Sequence, residues 1–228
     1  MTFSIAGICT QTGRIGYAVT TSSVAVGARV GRIGPDCVVF SQARTDPRLH
    51  APGIAEFGRT QNARRALDAM QAAGDHLHWR QVGVLSRFGD AVYSTGESCL
   101  PHAGGLVGEN CLALGNFLAS DHVLPGIVEG FATAGPDTSL AGRLLAGLQA
   151  GAAAGGERDR LQSAAVKVLG ADDLFDVDLR VDKSIDPLSD LADLLRDWAP
   201  KADAYRIRAL APDDAPSSSE VEGTASPT

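Results

Sequence analysis

Residues 1–23 read MTFSIAGICTQTGRIGYAVTTSS, and this stretch decides the fold. Residues 3–9 (FSIAGIC) and 15–21 (IGYAVTT) are short, β-rich and alternating, and TQTGR at 10–14 between them carries turn chemistry. Together they predict a β-hairpin whose first strand begins at Thr2, directly behind Met1. Chain ends ordinarily fray, so a second residue held at the mouth of a sheet calls for a reason.

Outward from the hairpin, a second apolar pair lies at ARVGRI (28–33) and DCVVFSQ (36–42), joined by Gly34-Pro35. Pro52 to Ala73 has helical spacing, with Thr60 as a cap for Ala63, Ala66, Leu67 and Met70. Strands return at RQVGVLS (80–86) and AVYST (91–95), and LVGENCLALGN (106–116) reads as one further strand. Two helices are expected over Asp121–Ala132 and Thr138–Ala152, the second ended by Gly155-Gly156. SAAVKVL (163–169) and LFDVDLRVD (174–182) form another hairpin, and a last helix starts at Asp186-Pro187. Hairpin-joined strands imply antiparallel pairing, and helices in blocks imply outer layers. The expected fold class is α+β, an αββα four-layer sandwich of two mainly antiparallel sheets.

At 228 residues the chain suits a single domain, set here at 2–210. Its 44% hydrophobic and 21% charged residues support a core without disulfide or metal. The tail 211–228 (APDDAPSSSEVEGTASPT) is acidic and poor in apolar residues, and is expected to be disordered. Net charge is -7, but Asp213, Asp214, Glu220 and Glu222 of that tail carry part of it. The body offers no basic face for nucleic acid and no basic stripe for a membrane surface. With no apolar run of bilayer length and no signal-peptide pattern, the expectation is a cytoplasmic protein with a small-molecule partner. Cys9, Cys37, Cys99 and Cys111 lack any C-x-x-C pairing and read as reduced thiols.

Removal of Met1 requires a small second residue, and Thr2 qualifies. An N-terminal threonine joins a hydroxyl nucleophile to an α-amine whose reference pKa is about 8, near the value wanted of a base at neutral pH. Nucleophile and base then share one residue, and a strand end holds it in place. The plainer account is that Thr after Met1 is common.

The chain resembles the bacterial family known as domain of unknown function 1028, which is assigned to the N-terminal nucleophile (Ntn) hydrolase fold. The resemblance spans about residues 2–196. It rests on TFSIAG, TGRIGYAV, AVG at 25–27, SQA at 41–43, RQVGV at 80–84, GN at 115–116, RLLAGLQAG, GGE with QSAA, and DLRVD at 178–182. It implies an αββα fold and hydrolysis of an amide bond by the Thr2 hydroxyl with its own amine as base. The chain departs from the family pattern at Glu157, where an Asp follows Gly-Gly. It departs also at Asp159-Arg160, in place of Arg-Gly before Gln162, and at Thr21, in place of a Ser. These departures bear on substrate identity more than on the nucleophile.

Asn116, in a Gly-Asn pair at a strand end, is the candidate oxyanion donor; a turn residue is the alternative. Ser22 or Ser23 can orient the Thr2 amine or merely cap a loop. Gln42 can meet an amide substrate or bond loop backbone. The pair Arg80-Gln81, before VGV, can bind a carboxylate or close a loop. Arg180 and Asp182 share a strand face and form either a site pair or a solvated one. Ser22, Gln42, Arg80 and Asp182 are thus the candidate substrate contacts. His76 and His78 alternate without accompanying metal ligands, GARVGRIG lacks the context of a phosphate loop, and no cofactor is implied.

The expectation is therefore a cofactor-independent amidohydrolase acting on a small amide, imide or ureido compound. The alternatives are a cysteine hydrolase using Cys99 with His102, and a silent binding module or assembly subunit. The apolar helices LAGRLLAGL and LSDLADLL exceed what one sheet covers, so a homodimer or higher homo-oligomer is expected.

Overall fold

The computed structural model describes residues 1–135 and 138–223 of the chain. Its strands are β1 (Thr2–Cys9), β2 (Arg14–Thr21), β3 (Gly31–Ile33), β4 (Cys37–Ala43), β5 (Arg80–Ser86), β6 (Ala91–Thr95), β7 (Gly104–Gly108), β8 (Cys111–Asn116), β9 (Ser163–Leu169) and β10 (Phe175–Val181). Its helices are α1 (His50–Thr60), α2 (Ala63–Ala72), α3 (Val123–Thr133), α4 (Leu140–Ala153), α5 (Pro187–Trp198), α6 (Ala202–Leu210) and α7 (Ser218–Glu222). The strands form two antiparallel sheets, β10-β9-β2-β1-β8-β7 and β3-β4-β5-β6. The opening hairpin lies at the centre of the larger sheet, with Phe3 opposite Thr20 on one side and opposite Gly115 on the other.

The period of two along each strand sorts side chains into layers. Phe3 and Ile5 join Cys111, Ala113, Val166 and Val168 in a core shared with Ile127 and Phe131 of α3, Leu144 and Leu148 of α4, and Leu191 of α5. Ala6 and Ile8 point the other way and meet Tyr17, Val19, Phe40, Leu85, Leu112 and Leu114 between the sheets. Val39, Val82 and Val84, on the far side of the smaller sheet, pack on Phe57, Leu67 and Met70 of α1 and α2. Three apolar layers separate helices, sheet, sheet and helices. This is the αββα sandwich expected from the order of elements.

Several local expectations differ. The helical stretch is two helices, because Gln61 turns left-handed (φ 49) and ends α1. Asn62, not Thr60, caps α2 by accepting from the Arg65 N–H at 3.0 Å, while the Thr60 hydroxyl bonds back to Glu56 O. LVGENCLALGN is not one strand but a hairpin, β7 and β8, turned at Asn110 (φ 58).

The expectation of disorder from residue 211 also fails over the described part of the tail. The Ser217 hydroxyl accepts from the Glu220 N–H at 3.3 Å, and the Glu220 carboxylate accepts from the Ser217 N–H at 2.8 Å. This capping box starts α7. Glu222 then accepts from Lys201 Nζ at 3.0 Å and from the Tyr205 hydroxyl, folding α7 onto α6. Composition could not show a partner supplied by a neighbouring helix. Residues 224–228 lie outside the described residues.

Candidate functional site: the Thr2 end of the sheets

Along the interior between the sheets, apolar side chains give way to polar ones at a single end. Thr2 and Ser4 of β1 continue the face of Ala6 and Ile8, and Thr21 continues that of Tyr17 and Val19. Asn116 sits opposite Thr2 in the β1–β8 register, and Gln42 sits opposite Gln81 in the β4–β5 register. All six are buried, Thr2 at 4% exposure and Ser4, Gln42, Gln81 and Asn116 at 0%. Buried polar groups need partners.

Most find them in one directed chain. The Ser4 hydroxyl donates to Gln42 Oε1 at 2.8 Å, and Gln42 Nε2 donates to Gln81 Oε1 at 2.7 Å. Gln81 Nε2 bonds Thr95 Oγ1 at 2.8 Å and the carbonyls of Gly104 and Gly115 at 2.9 Å each. Carbonyls only accept, so the Gln81 amide has a fixed orientation and its Oε1 must accept. Asn116 Nδ2 donates to that oxygen at 3.2 Å, which leaves Asn116 Oδ1 buried without a partner. The orientation runs against the oxyanion role expected of Asn116, because its unpaired atom is an acceptor suited to an amine or amide N–H.

A second unpaired acceptor stands at the same end. Gly155 (φ 119) and Gly156 (φ 56) let the chain turn back after α4 with backbone angles that favour glycine. Glu157 then pairs with Leu118 in a β-bridge. It is 7% exposed; Oε2 accepts from the Ser22 N–H at 3.0 Å, and Oε1 has no partner. Burial raises its pKa, while the hydroxyl and N–H of Ser22, the chain's amino terminus and the Thr21 hydroxyl pull it back.

The Thr2 and Thr21 hydroxyls lie 3.4 Å apart, and both donate to the Met1 carbonyl. The carbonyl carbon of the Met1–Thr2 peptide is therefore beside the Thr2 hydroxyl, with a second hydroxyl on its oxygen. On the outer side of Ser22 a cleft of ≈640 Å³ opens, lined also by Arg160, Gln162 and Lys183.

The other expected site residues fall differently. Gln42 belongs to the interior chain. Ser22 contributes by holding Glu157. Arg80 points away from the interior, donating to Asp75 O at 2.8 Å and Arg44 O at 2.7 Å and pairing with Asp46 at 3.4 Å, so it closes a loop. Asp182 is taken by Arg180 at 2.8 Å on the exposed face of β10, the solvated alternative. Ser23 accepts from Arg29 Nη2 at 2.6 Å on the surface. Cys99 is 0% exposed and burial raises its thiol pKa, while His102 is engaged by Asp121 at 2.7 Å and makes no hydrogen bond with Cys99 among the described residues. His76 and His78 flank a tight turn, ring centroids 6.1 Å apart.

Thr21 and Glu157 were not among the expected site residues, and Gln81 was weighed only in a pair with Arg80. Gln81 had a signal, since Gln42 and Gln81 each end an apolar strand on its interior face. Glu157 had only its place after two glycines.

The fold and this strand end define a class: a layered α+β sandwich with a buried polar site at one end of its two sheets. The family model described as "Family of unknown function (DUF1028)" matches residues 2–191, and the chain belongs to that family. A crystal structure of protein SPO2555 from Silicibacter pomeroyi, itself a DUF1028 protein, is similar with TM-score 0.78 and 28% identity over 86% of this chain and 88% of that one. No curated protein matches the chain. Among the described residues no helix is long and apolar enough to cross a membrane, and no group of three or more His, Cys, Asp or Glu is placed to hold a metal ion.

Proposed function

We propose that the protein is a cofactor-independent amidohydrolase of the Ntn type, with Thr2 as its nucleophile once Met1 is removed. The observation that carries the proposal is the convergence of the Thr2 and Thr21 hydroxyls on the Met1 carbonyl. Two hydroxyls on one carbonyl oxygen beside Thr2 are what the reading asks of a nucleophile and a donor to the oxyanion.

In this reading the freed α-amine takes the Thr2 hydroxyl proton as the oxygen attacks the substrate carbonyl carbon. The Thr21 hydroxyl donates to the oxygen that becomes negative, as it now donates to the Met1 carbonyl. The tetrahedral adduct collapses when the amine returns the proton to the leaving nitrogen, giving an ester on Thr2. Water, activated by the same amine, then hydrolyses the ester. Asn116 Oδ1 and Glu157 Oε1 are acceptors for the hydrogens of that amine, which explains why burial leaves them unpaired. Small amides, imides or ureido compounds approaching from the cleft beside Ser22 are the proposed substrates.

The Cys99 alternative is disfavoured by complete burial and by a pKa raised away from the thiolate. We further propose a cytoplasmic homodimer, in keeping with four cysteines that form no disulfide. Light scattering at micromolar concentration tests the dimer, and a monomer there refutes it.

Intact mass tests the first step: a loss of about 131 Da leaves Thr2 free, whereas retained Met1 favours a silent module. Release of amine or ammonia from a panel of small amides, imides and ureido compounds tests the second. Turnover that survives Thr2→Ala undiminished would refute the nucleophile.

A further inference from the structure

At the other end of β1, roughly 23 Å from Thr2 along an extended strand, a second cavity of ≈500 Å³ opens beside Cys9. Its volume is in the range of small-molecule sites. The wall running from Leu195 to Ala209 lies beyond residue 191, where the family match ends. This cavity is therefore completed by an addition that the matched family region does not contain.

The interior of the cavity is mainly apolar and aromatic. Trp198 stacks on Tyr205 with centroids 5.2 Å apart and an interplanar angle of 21°, and Phe175 and Leu140 line the same space. The Trp198 N–H is already satisfied by Asp176 O at 2.7 Å, so the ring has only its faces to offer.

Most charges around the cavity are spent on one another. Asp176 receives Arg14 Nε on one oxygen and Arg206 on the other, and Asp172 also pairs with Arg206. Two groups retain free capacity. Arg14 enters its ion pair through Nε alone, and its two terminal nitrogens make no hydrogen bond among the described residues. Asp203, on α6, has no ion-pair or hydrogen-bond partner among them either, and it lies near enough to Arg14 to favour the guanidinium charge.

We propose that this cavity binds a free α-amino acid with a large apolar side chain. A planar guanidinium edge with two free donors matches a carboxylate. An unpaired carboxylate in the same lining matches an ammonium. Stacked aromatic rings and aliphatic neighbours match the side chain. A ligand with a single charge leaves either Arg14 or Asp203 unmet, so the pairing selects a zwitterion. The site is independent of the chemistry proposed at Thr2.

Cys9 provides a direct reporter, because it lines the cavity and is the one half-exposed cysteine, the other three being buried. Iodoacetamide labelling of Cys9 in the full chain, followed by mass spectrometry, is measured with L-phenylalanine, with hydrocinnamate, which lacks the ammonium, and with phenethylamine, which lacks the carboxylate. L-phenylalanine at millimolar concentration should slow labelling about threefold or more, and each singly charged analogue should need about tenfold more ligand for the same protection. Asp203→Asn, an exposed change, should remove the advantage of L-phenylalanine over hydrocinnamate. Trp198→Ala should weaken protection by all three about tenfold. Equal protection by the three compounds, or an unchanged preference in Asp203→Asn, would overturn the zwitterion. No protection by L-phenylalanine, together with no shift in its melting temperature, would overturn the site.

Discussion

At the Thr2 end of β1 the polar side chains are buried, and two acceptors, Asn116 Oδ1 and Glu157 Oε1, have no partner. At the Cys9 end the charged side chains are half-exposed, and Arg14, Asp172, Asp176 and Arg206 pair with one another, leaving over Arg14's terminal nitrogens and the exposed Asp203 among the described residues. The energetic consequences differ. Partly exposed ion pairs contribute about 0–1 kcal/mol each, whereas a buried unpaired acceptor costs about 1–3 kcal/mol. The chain tolerates that penalty twice within one small region. Such atoms are expected where hydrogen-bond capacity is reserved for another molecule or for an amine not yet free.

The contrast can be tested by substitution, and the largest effect is expected at Thr2, the proposed nucleophile. Thr2→Ala should lower turnover about a thousandfold or more while leaving the melting temperature close to that of the wild type. A single hydroxyl at a strand end contributes little to the core, so a large loss of stability would recast Thr2 as structural.

Gln81→Leu should be the most destabilising change at the same end. It removes the acceptor used by Gln42 and Asn116 and the donor used by the Gly104 and Gly115 carbonyls. A loss of about 4 kcal/mol in urea unfolding is expected from several groups left unpaired. A loss below about 1 kcal/mol would show that water replaces the amide.

A third buried polar group serves as a control away from both ends. His50, at the start of α1, has its Nε2 at 3.2 Å from Val30 O, and burial lowers its pKa from 6.5 to about 4. As pH falls through that window the unfolded chain takes up the proton first, so stability is lost on acidification, by about 3 kcal/mol in total. In His50→Gln the part of the acid sensitivity lying between those two values should disappear. Urea unfolding at about pH 7 and about pH 4 checks it, and an unchanged difference between the two would exclude His50 as its source.

The smallest effect is expected at Glu157, with the opposite sign. Its folded pKa is raised above 4.5, so the folded chain holds the proton more tightly and stability is lost as pH rises through the folded value. Glu157→Gln should therefore gain about 1 kcal/mol at neutral pH, and the gain should shrink at acid pH. Loss of turnover alongside that gain would mark a group kept for chemistry at the expense of stability.

The legibility of these features differed from residue to residue. The period-two runs at 3–9, 15–21 and 80–86 fixed the strands, since apolar alternation depends only on neighbours in sequence. Thr2 was legible as a candidate because a threonine directly behind Met1 would have distinctive chemistry once it became N-terminal. The β7–β8 hairpin was not legible because its two-residue turn, Glu109-Asn110, lacks the Asn-Gly or Asp-Gly pair that marks such turns. Arg80 and Gln81 adjoin in sequence but face opposite sides of β5, and choosing Arg80 followed charge where strand parity favoured its neighbour.

The sequence by itself determined the layers and the nucleophile candidate, because both follow from local spacing and from the chemistry of one residue. Only the tertiary structure decided what surrounds Thr2. Asn116, Gln81, Thr21 and Glu157 come from four separate parts of the chain, and the hydrogen bonds that orient them run between strands and loops distant in sequence. The same holds for the cavity beside Cys9, where Arg14 and Asp203 are nearly two hundred residues apart in sequence yet line one cavity. Sequence spacing carries no information about pairings of that kind, since they are set by the register of the sheets and by where each helix docks.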